Sequence, residues 1–321
     1  MLLVLAACSG GAVDPMPADT DPHTDADTDA DTDTDVAFDP DVAGPFTYTT
    51  AGAPDAPRPS GVFVPDRPDA APVVVVLHGF GLDPVLYGSY GARLASWGYV
   101  AVAPQLSGSV LAPTTHADLA VEVGAMLDWI ASDPAVLGGI DADRIVLAGH
   151  SLGGKIAALR ATTDARIDGL FLIDPVDAAP PFGSNPVDHP SVTPERMAQI
   201  TVPFVALGET VNTTGAQPCA PADENFREYF LHATSPALSV ELVGANHMSF
   251  LDDPDCGLFC SVCPAGSDDP VQTRRITQAA MVAYVEAVLG GRPEAHDWLV
   301  GPGLGAFVAS GQVVVETRGG F

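Results

Sequence analysis

The run Leu147-Ala-Gly-His-Ser-Leu-Gly-Gly154 constrains the chain more than any other stretch. Arg144 to Ala148 is a β-branched and apolar run that predicts a buried strand. Gly149-His150-Ser151-Leu152-Gly153 matches G-x-S-x-G, and Lys155 to Ala161 continues as a helix. Strand, tight turn and helix in that order is the context in which such a serine is held above a sheet. Gly149 and Gly153 suit it, because a side chain at either would strike the neighbouring strand or helix. The N–H that follows the serine, that of Leu152, then falls in the first turn of a helix, where negative charge is favoured. G-x-S-x-G also fits an ordinary glycine-rich turn, so the rest of the chain must decide.

Buried strands and helices alternate around this turn. Gly61–Pro65 and Pro72–Leu77 read as strands, the second ending in His78-Gly-Phe-Gly81. A helical stretch near 84–97 leads to the strand 99–103. His116 to Ser132 carries Leu119, Val123, Met126, Leu127 and Ile130 at the spacing of an amphipathic helix. Strands follow at 169–173, 203–207 and 238–243, with helices near 223–232 and over 271–289. The pattern predicts an α/β fold with a doubly wound, mostly parallel sheet and ligands at the C-terminal strand ends.

A serine hydroxyl becomes a nucleophile when a base takes its proton and an acid orients that base. His247 follows the last predicted strand, on a loop from which an imidazole can reach back to Ser151, whereas His116 and His232 lie on predicted helices and His150 sits inside the turn. Asp174 ends the strand 170–173 and is the favoured acid, with Asp177 and Glu209 as the alternatives. The backbone N–H of Phe80, after Gly79, is expected to join that of Leu152 in holding an oxyanion, with His78 supporting the loop.

The chain has 321 residues, 47% of them hydrophobic, enough for one large domain plus a tail. Eleven Asp and no Lys or Arg lie between residues 14 and 41, leaving 17 of the net 28 negative charges on the remainder. Such a surface repels nucleic acid and anionic membranes. Leu5-Ala-Ala-Cys8 resembles a bacterial lipoprotein signal over residues 1–8, with Cys8 as the lipid attachment point. That implies a lipid-anchored protein of the cell envelope whose true start lies upstream, with no other membrane contact. Residues 9–45 alternate Asp with Thr and Ala and read as a disordered spacer; they lack the glycine and terminal Glu of an EF-hand loop. The globular domain is expected over 46–290, and the glycine-rich 291–321 is left unplaced. Cys256, Cys260 and Cys263 have the spacing of a radical-cluster motif. In an exported chain they are instead expected to join Cys219 in two disulfides, in one of three connectivities.

Tyr99-Val-Ala-Val-Ala-Pro-Gln-Leu106, Leu147 to Lys155, Ile173-Asp-Pro-Val-Asp177, Pro218-Cys-Ala-Pro221 and His247 followed by Leu251-Asp-Asp253 together resemble the chlorophyllase family, in matching order from about Gly61 to Gly290. The placement of Asp174 is also similar to that in platelet-activating-factor acetylhydrolases, and the turn and the His78 loop to those of polyester and dienelactone hydrolases. The resemblance departs at Leu152, where plant chlorophyllases usually carry Arg. It implies an α/β-hydrolase fold and cleavage of hydrophobic carboxylic esters through an acyl-enzyme, with Ser151, Asp174 and His247 in those roles. No metal or cofactor is expected, and the chain is expected to be monomeric. A non-catalytic surface binding protein, a thioesterase and a peptidase are the other readings.

Overall fold

Parallel strands covered on both faces need apolar residues at nearly every position. The middle of this chain supplies them in β3 (Ala71–Leu77), β4 (Val100–Pro104), the second half of β5 (Ile140–His150), β6 (Ile167–Ile173) and β7 (Phe204–Glu209). The computed structural model describes residues 38–180, 185–214, 218–257 and 260–321. The compact unit they form runs from Phe38 to Phe321. Cys8, the signal-like segment and the acidic stretch up to residue 37 lie outside the described residues.

With β1 (Tyr48–Ala53), β2 (Ser60–Pro65), β8 (Ala237–Leu242) and β9 (Val313–Arg318), the strands form one nine-stranded sheet in the order β1-β2-β4-β3-β5-β6-β7-β8-β9. Pairing is parallel from β4 through β8 and antiparallel at both ends. The two faces are read off β3 directly. Val73, Val75 and Leu77 point to one core, filled by α2 (His116–Ala131) and α3 (Leu152–Ala161), and α4 (Phe226–Leu231) also packs there. Val74 and Val76 point to the other, filled by α1 (Gly88–Ser96) and α5 (Pro270–Val288). The period of two along the strand separates the layers.

Two boundaries differ from composition. Residues 39–45, grouped by their Asp and Pro content with the acidic spacer, pack on the domain. Arg93 donates to the carbonyls of Pro40 and Val42 at 2.9 Å, and Asp41 pairs with Arg275. The glycine-rich end folds as α6 (Pro293–Val300), α7 (Pro302–Ala309) and β9, and Leu299, Leu304 and Val313 enter the second core. Among the described residues no helix is long and apolar enough to cross a membrane.

Candidate active site

At the C-terminal end of β5 the chain makes the turn that the motif predicts. Ser151 has φ +55° and ψ −120°, and its N–H donates to the Ile173 carbonyl at 3.0 Å. The two flanking glycines are steric necessities. A Cβ on Gly153 would lie 2.6 Å from the carbonyl carbon of Leu77, at the end of β3. One on Gly149 would lie 2.7 Å from the Gly154 nitrogen. The serine hydroxyl is thereby carried to the edge of a pocket, and Leu152 becomes the first residue of α3, whose N–H has no acceptor within the helix.

The structure brings together Ser151, His247 and Asp174. His247 Nε2 stands 2.9 Å from Ser151 Oγ, and His247 Nδ1 stands 2.6 Å from Asp174 Oδ2. Asp174 is fully buried, with φ +42°, and its N–H donates to the Leu207 carbonyl at 2.6 Å. That left-handed turn, one residue past β6, aims the carboxyl under the imidazole. Burial pushes His247 down to about 4, so the ring is neutral at pH 7. Nδ1–H then faces the carboxyl, and the Nε2 lone pair faces the serine. Burial pushes the Asp174 carboxyl up, opposed by Arg227 and by the backbone N–H of Glu209.

The other carboxyls do different work. Asp177 accepts from Ser191 Oγ, Val192 N and both the N and Oγ1 of Thr193, and pairs at 3.1 Å with Lys155, a lysine with no exposure at all. It clips residues 191–193 to α3. Glu209, the last residue of β7, accepts from the N–H groups of Val211 and Asn212. Asn212 in turn accepts the backbone N–H of His247 at 2.9 Å and donates to the Pro264 carbonyl at 3.0 Å.

A second chain of hydrogen bonds runs beneath the serine. The Leu106 N–H donates to His78 Nε2 at 3.0 Å, so His78 Nδ1–H donates to the Gly79 carbonyl at 2.8 Å, and the imidazole braces the 78–82 loop as a neutral ring. The Gly79 N–H donates to Tyr87 Oη at 3.1 Å, and that hydroxyl donates to His150 Nδ1 at 2.7 Å. His150 Nε2–H donates to the His247 carbonyl at 2.9 Å. Burial holds His150 far below its ordinary value, in keeping with one nitrogen donating and the other accepting. Sequence reasoning assigned Tyr87, Asn212 and Lys155 no place in the site. Only tertiary contacts recruit them, and an isolated Tyr or Asn carries no spacing signal.

Ser151, His247, Phe80 and Leu152 line one pocket of about 280 Å³, whose apolar walls include Val176, Ala179, Pro218 and Met248. Phe80, Leu82, His116, Leu152 and Pro180 also border an adjoining cavity of about 400 Å³ with a more polar lining, including Gln105, Ser107 and Thr114. Of the three possible cysteine connectivities the structure has Cys219–Cys263 and Cys256–Cys260, and the first pair forms part of the pocket wall. Among the described residues, no group of three or more His, Cys, Asp or Glu is placed to hold a metal ion.

The strand order, the serine on its positive-φ turn after β5 and the histidine on the loop after β8 define an α/β-hydrolase. More narrowly, the chain belongs to the chlorophyllase family, whose family model matches residues 38–301. It is 28% identical to "Chlorophyllase-2" of Arabidopsis thaliana, over 76% of this chain and 82% of that protein. It is 27% identical to "Chlorophyllase-1" of the same plant, over 73% and 77%. Against "Chlorophyllase-1, chloroplastic" of Citrus unshiu the identity is 25%, over 77% of each.

Proposed function

We propose that the protein hydrolyses neutral, hydrophobic carboxylic esters through an acyl-enzyme on Ser151. The observation that carries this reading is the unbroken line Ser151 Oγ, His247, Asp174 at 2.9 and 2.6 Å. As Ser151 Oγ attacks the ester carbonyl, its proton passes to His247 Nε2, while Asp174 holds Nδ1–H and stabilises the imidazolium. The N–H groups of Leu152 and Phe80 receive the charge developing on the carbonyl oxygen, the first aided by the α3 dipole. Collapse of the adduct expels the alcohol, which takes the proton from His247. Water, deprotonated by the same nitrogen, then releases the acid. Membership in a family of chlorophyllases supports ester hydrolysis. Apolar walls around Ser151, and the lack of Lys or Arg among the described residues lining either cavity, support a neutral apolar substrate.

A burst assay with p-nitrophenyl butyrate tests this. Wild type should release a burst equal to the enzyme concentration. Ser151→Ala should lower kcat by about 10^6-fold, and Asp174→Asn by about 10^4-fold through loss of the correct tautomer. Unchanged turnover in the Ser151→Ala protein would sink the proposal.

A further inference from the structure

The carboxyl at the end of β7 has no part in the steps above, yet it is fully buried and feels the charge of Asp174. We propose that Glu209 is a positioning residue that carries one proton at neutral pH, donates it as a hydrogen bond to Asp174, and so holds Asp174 ionised and aimed at His247. The inference rests on the serine-esterase reading for its kinetic consequence, though not for the proton itself.

The placement follows from strand register. Ile173 and Leu207 are partners in the β6–β7 ladder, and the Asp174 N–H donates to the Leu207 carbonyl. The carboxyls of Asp174 and Glu209 therefore emerge from neighbouring strand ends. Each makes its well-formed side-chain hydrogen bonds through a single oxygen, with the Glu209 N–H lying toward the Asp174 carboxyl as well. Asp174 Oδ2 faces His247 Nδ1, and Glu209 Oε2 takes the two N–H groups of Val211 and Asn212. The second oxygens, Asp174 Oδ1 and Glu209 Oε1, are both buried and have no hydrogen-bond partner. Buried polar atoms are almost always paired, and two ionised carboxylates can only accept. One proton on Glu209 Oε1, given to Asp174 Oδ1, satisfies both oxygens at once.

The charges around the pair favour this arrangement. Burial pushes both carboxyls up, and the charge of Asp174 pushes Glu209 further. Arg227 on α4 is the cation that acts on both, and it is itself paired with Glu241 on β8 at 2.8 Å. His247 is the remaining titratable group against Asp174. The proton belongs on Glu209 because the 2.6 Å contact between His247 Nδ1 and Asp174 Oδ2 has the shortness of a hydrogen bond to an ionised acceptor. Two neighbouring buried carboxyls whose charges oppose each other are placed to divide one proton between distinct roles.

Infrared spectra at neutral pH, taken on wild type, Ser151→Ala, Glu209→Gln and Asp174→Asn, separate the outcomes. A protonated carboxyl stretch should be present in wild type and in Ser151→Ala, vanish in Glu209→Gln, and shift in Asp174→Asn as its acceptor changes. Glutamine reproduces the neutral acid, with an amide N–H for Asp174 and a carbonyl for Val211 and Asn212. Glu209→Gln should therefore keep kcat/KM within about threefold, the scale of one imperfect hydrogen bond. Glu209→Ala should lose roughly 10- to 100-fold, mainly in kcat, as supporting residues behind a reactive group do. A wild-type spectrum without the band, or a Glu209→Gln loss matching Asp174→Asn, overturns the proposal. The band without any ester turnover would leave the shared proton standing and remove the esterase reading instead.

Discussion

Ser151 and Asp174 both hold positive φ, +55° and +42°, conformations that cost most side chains free energy. Each of these residues follows a parallel strand and delivers a side-chain oxygen to the same imidazole. The sequence announces one of them, because the serine needs glycines on either side and glycines are visible. The turn at Asp174 leaves no such mark, which is why Asp177 and Glu209 are open as acids on sequence grounds. Contacts separate the three: Asp174 alone of them meets the imidazole, Asp177 is saturated by Lys155 and the 191–193 backbone, and Glu209 gives one oxygen to the N–H groups of its own turn. The imidazole between serine and acid sets a pH dependence. Burial lowers His247 from 6.5 to about 4, and an ionised Asp174 at 2.6 Å would act against that shift by simple charge attraction. In the proposed mechanism the neutral ring is the base, so activity should be present above the folded value and lost as pH falls through it. The acid limb of kcat/KM should have its midpoint between about 4 and 6.5. A midpoint at or above 6.5 would mean that the charge of Asp174 outweighs burial.

Elements with strong periodicity are legible in the chain and those without it are not. β3, β4 and β6 are continuous apolar runs, and α2 repeats apolar residues at helical spacing. β1 is Tyr-Thr-Thr-Ala-Gly-Ala and almost wholly exposed, so it exists through pairing with β2 rather than through burial of its own. β9 hides in a glycine-rich tail because an edge strand buries little; here only Val313 is buried. It covers the open edge of β8. Loops carry most of the site, and they are tied to one another rather than left to the strand ends. Tyr87, just before α1, joins Gly79 after β3 to His150 at the end of β5, and His150 holds the loop after β8. Tyr87→Phe removes one oxygen and leaves the Gly79 N–H and His150 Nδ1 unpaired in a buried place. Urea unfolding should show a loss of about 1–3 kcal/mol. kcat should fall by roughly tenfold as the serine and histidine loops lose their common brace. Unchanged stability and rate would show that the hydroxyl links nothing of consequence.

For the molecule as a whole, the charge map and the fold map do not share a boundary. Composition draws the line at residue 45, where the Asp-rich stretch ends, while the compact unit begins at Phe38. The segment between them closes the far side of α1 and reaches α5. The Phe38 ring meets Trp97 at 5.4 Å, Trp97 Nε1–H donates to the Val42 carbonyl at 3.1 Å, and the Gly44 N–H donates to Ser96 Oγ at 3.0 Å. Asp41 pairs with Arg275, and Arg292 lies over Phe38 at 5.3 Å. An exposed ion pair contributes at most about 1 kcal/mol. A partly buried Phe with its hydrogen-bonded strap is worth more, about 2–4 kcal/mol in all from transfer and hydrogen bonding. For a domain of this size that corresponds to roughly 3–7 °C in Tm. A chain beginning at Phe46 should therefore melt earlier than one beginning at Phe38 by that amount. Both should still form the acyl-enzyme at room temperature, because none of these contacts touches Ser151, His247 or Asp174. Equal melting of the two truncated chains would place the edge of the cooperative unit at residue 46 and reduce the strap to a surface decoration.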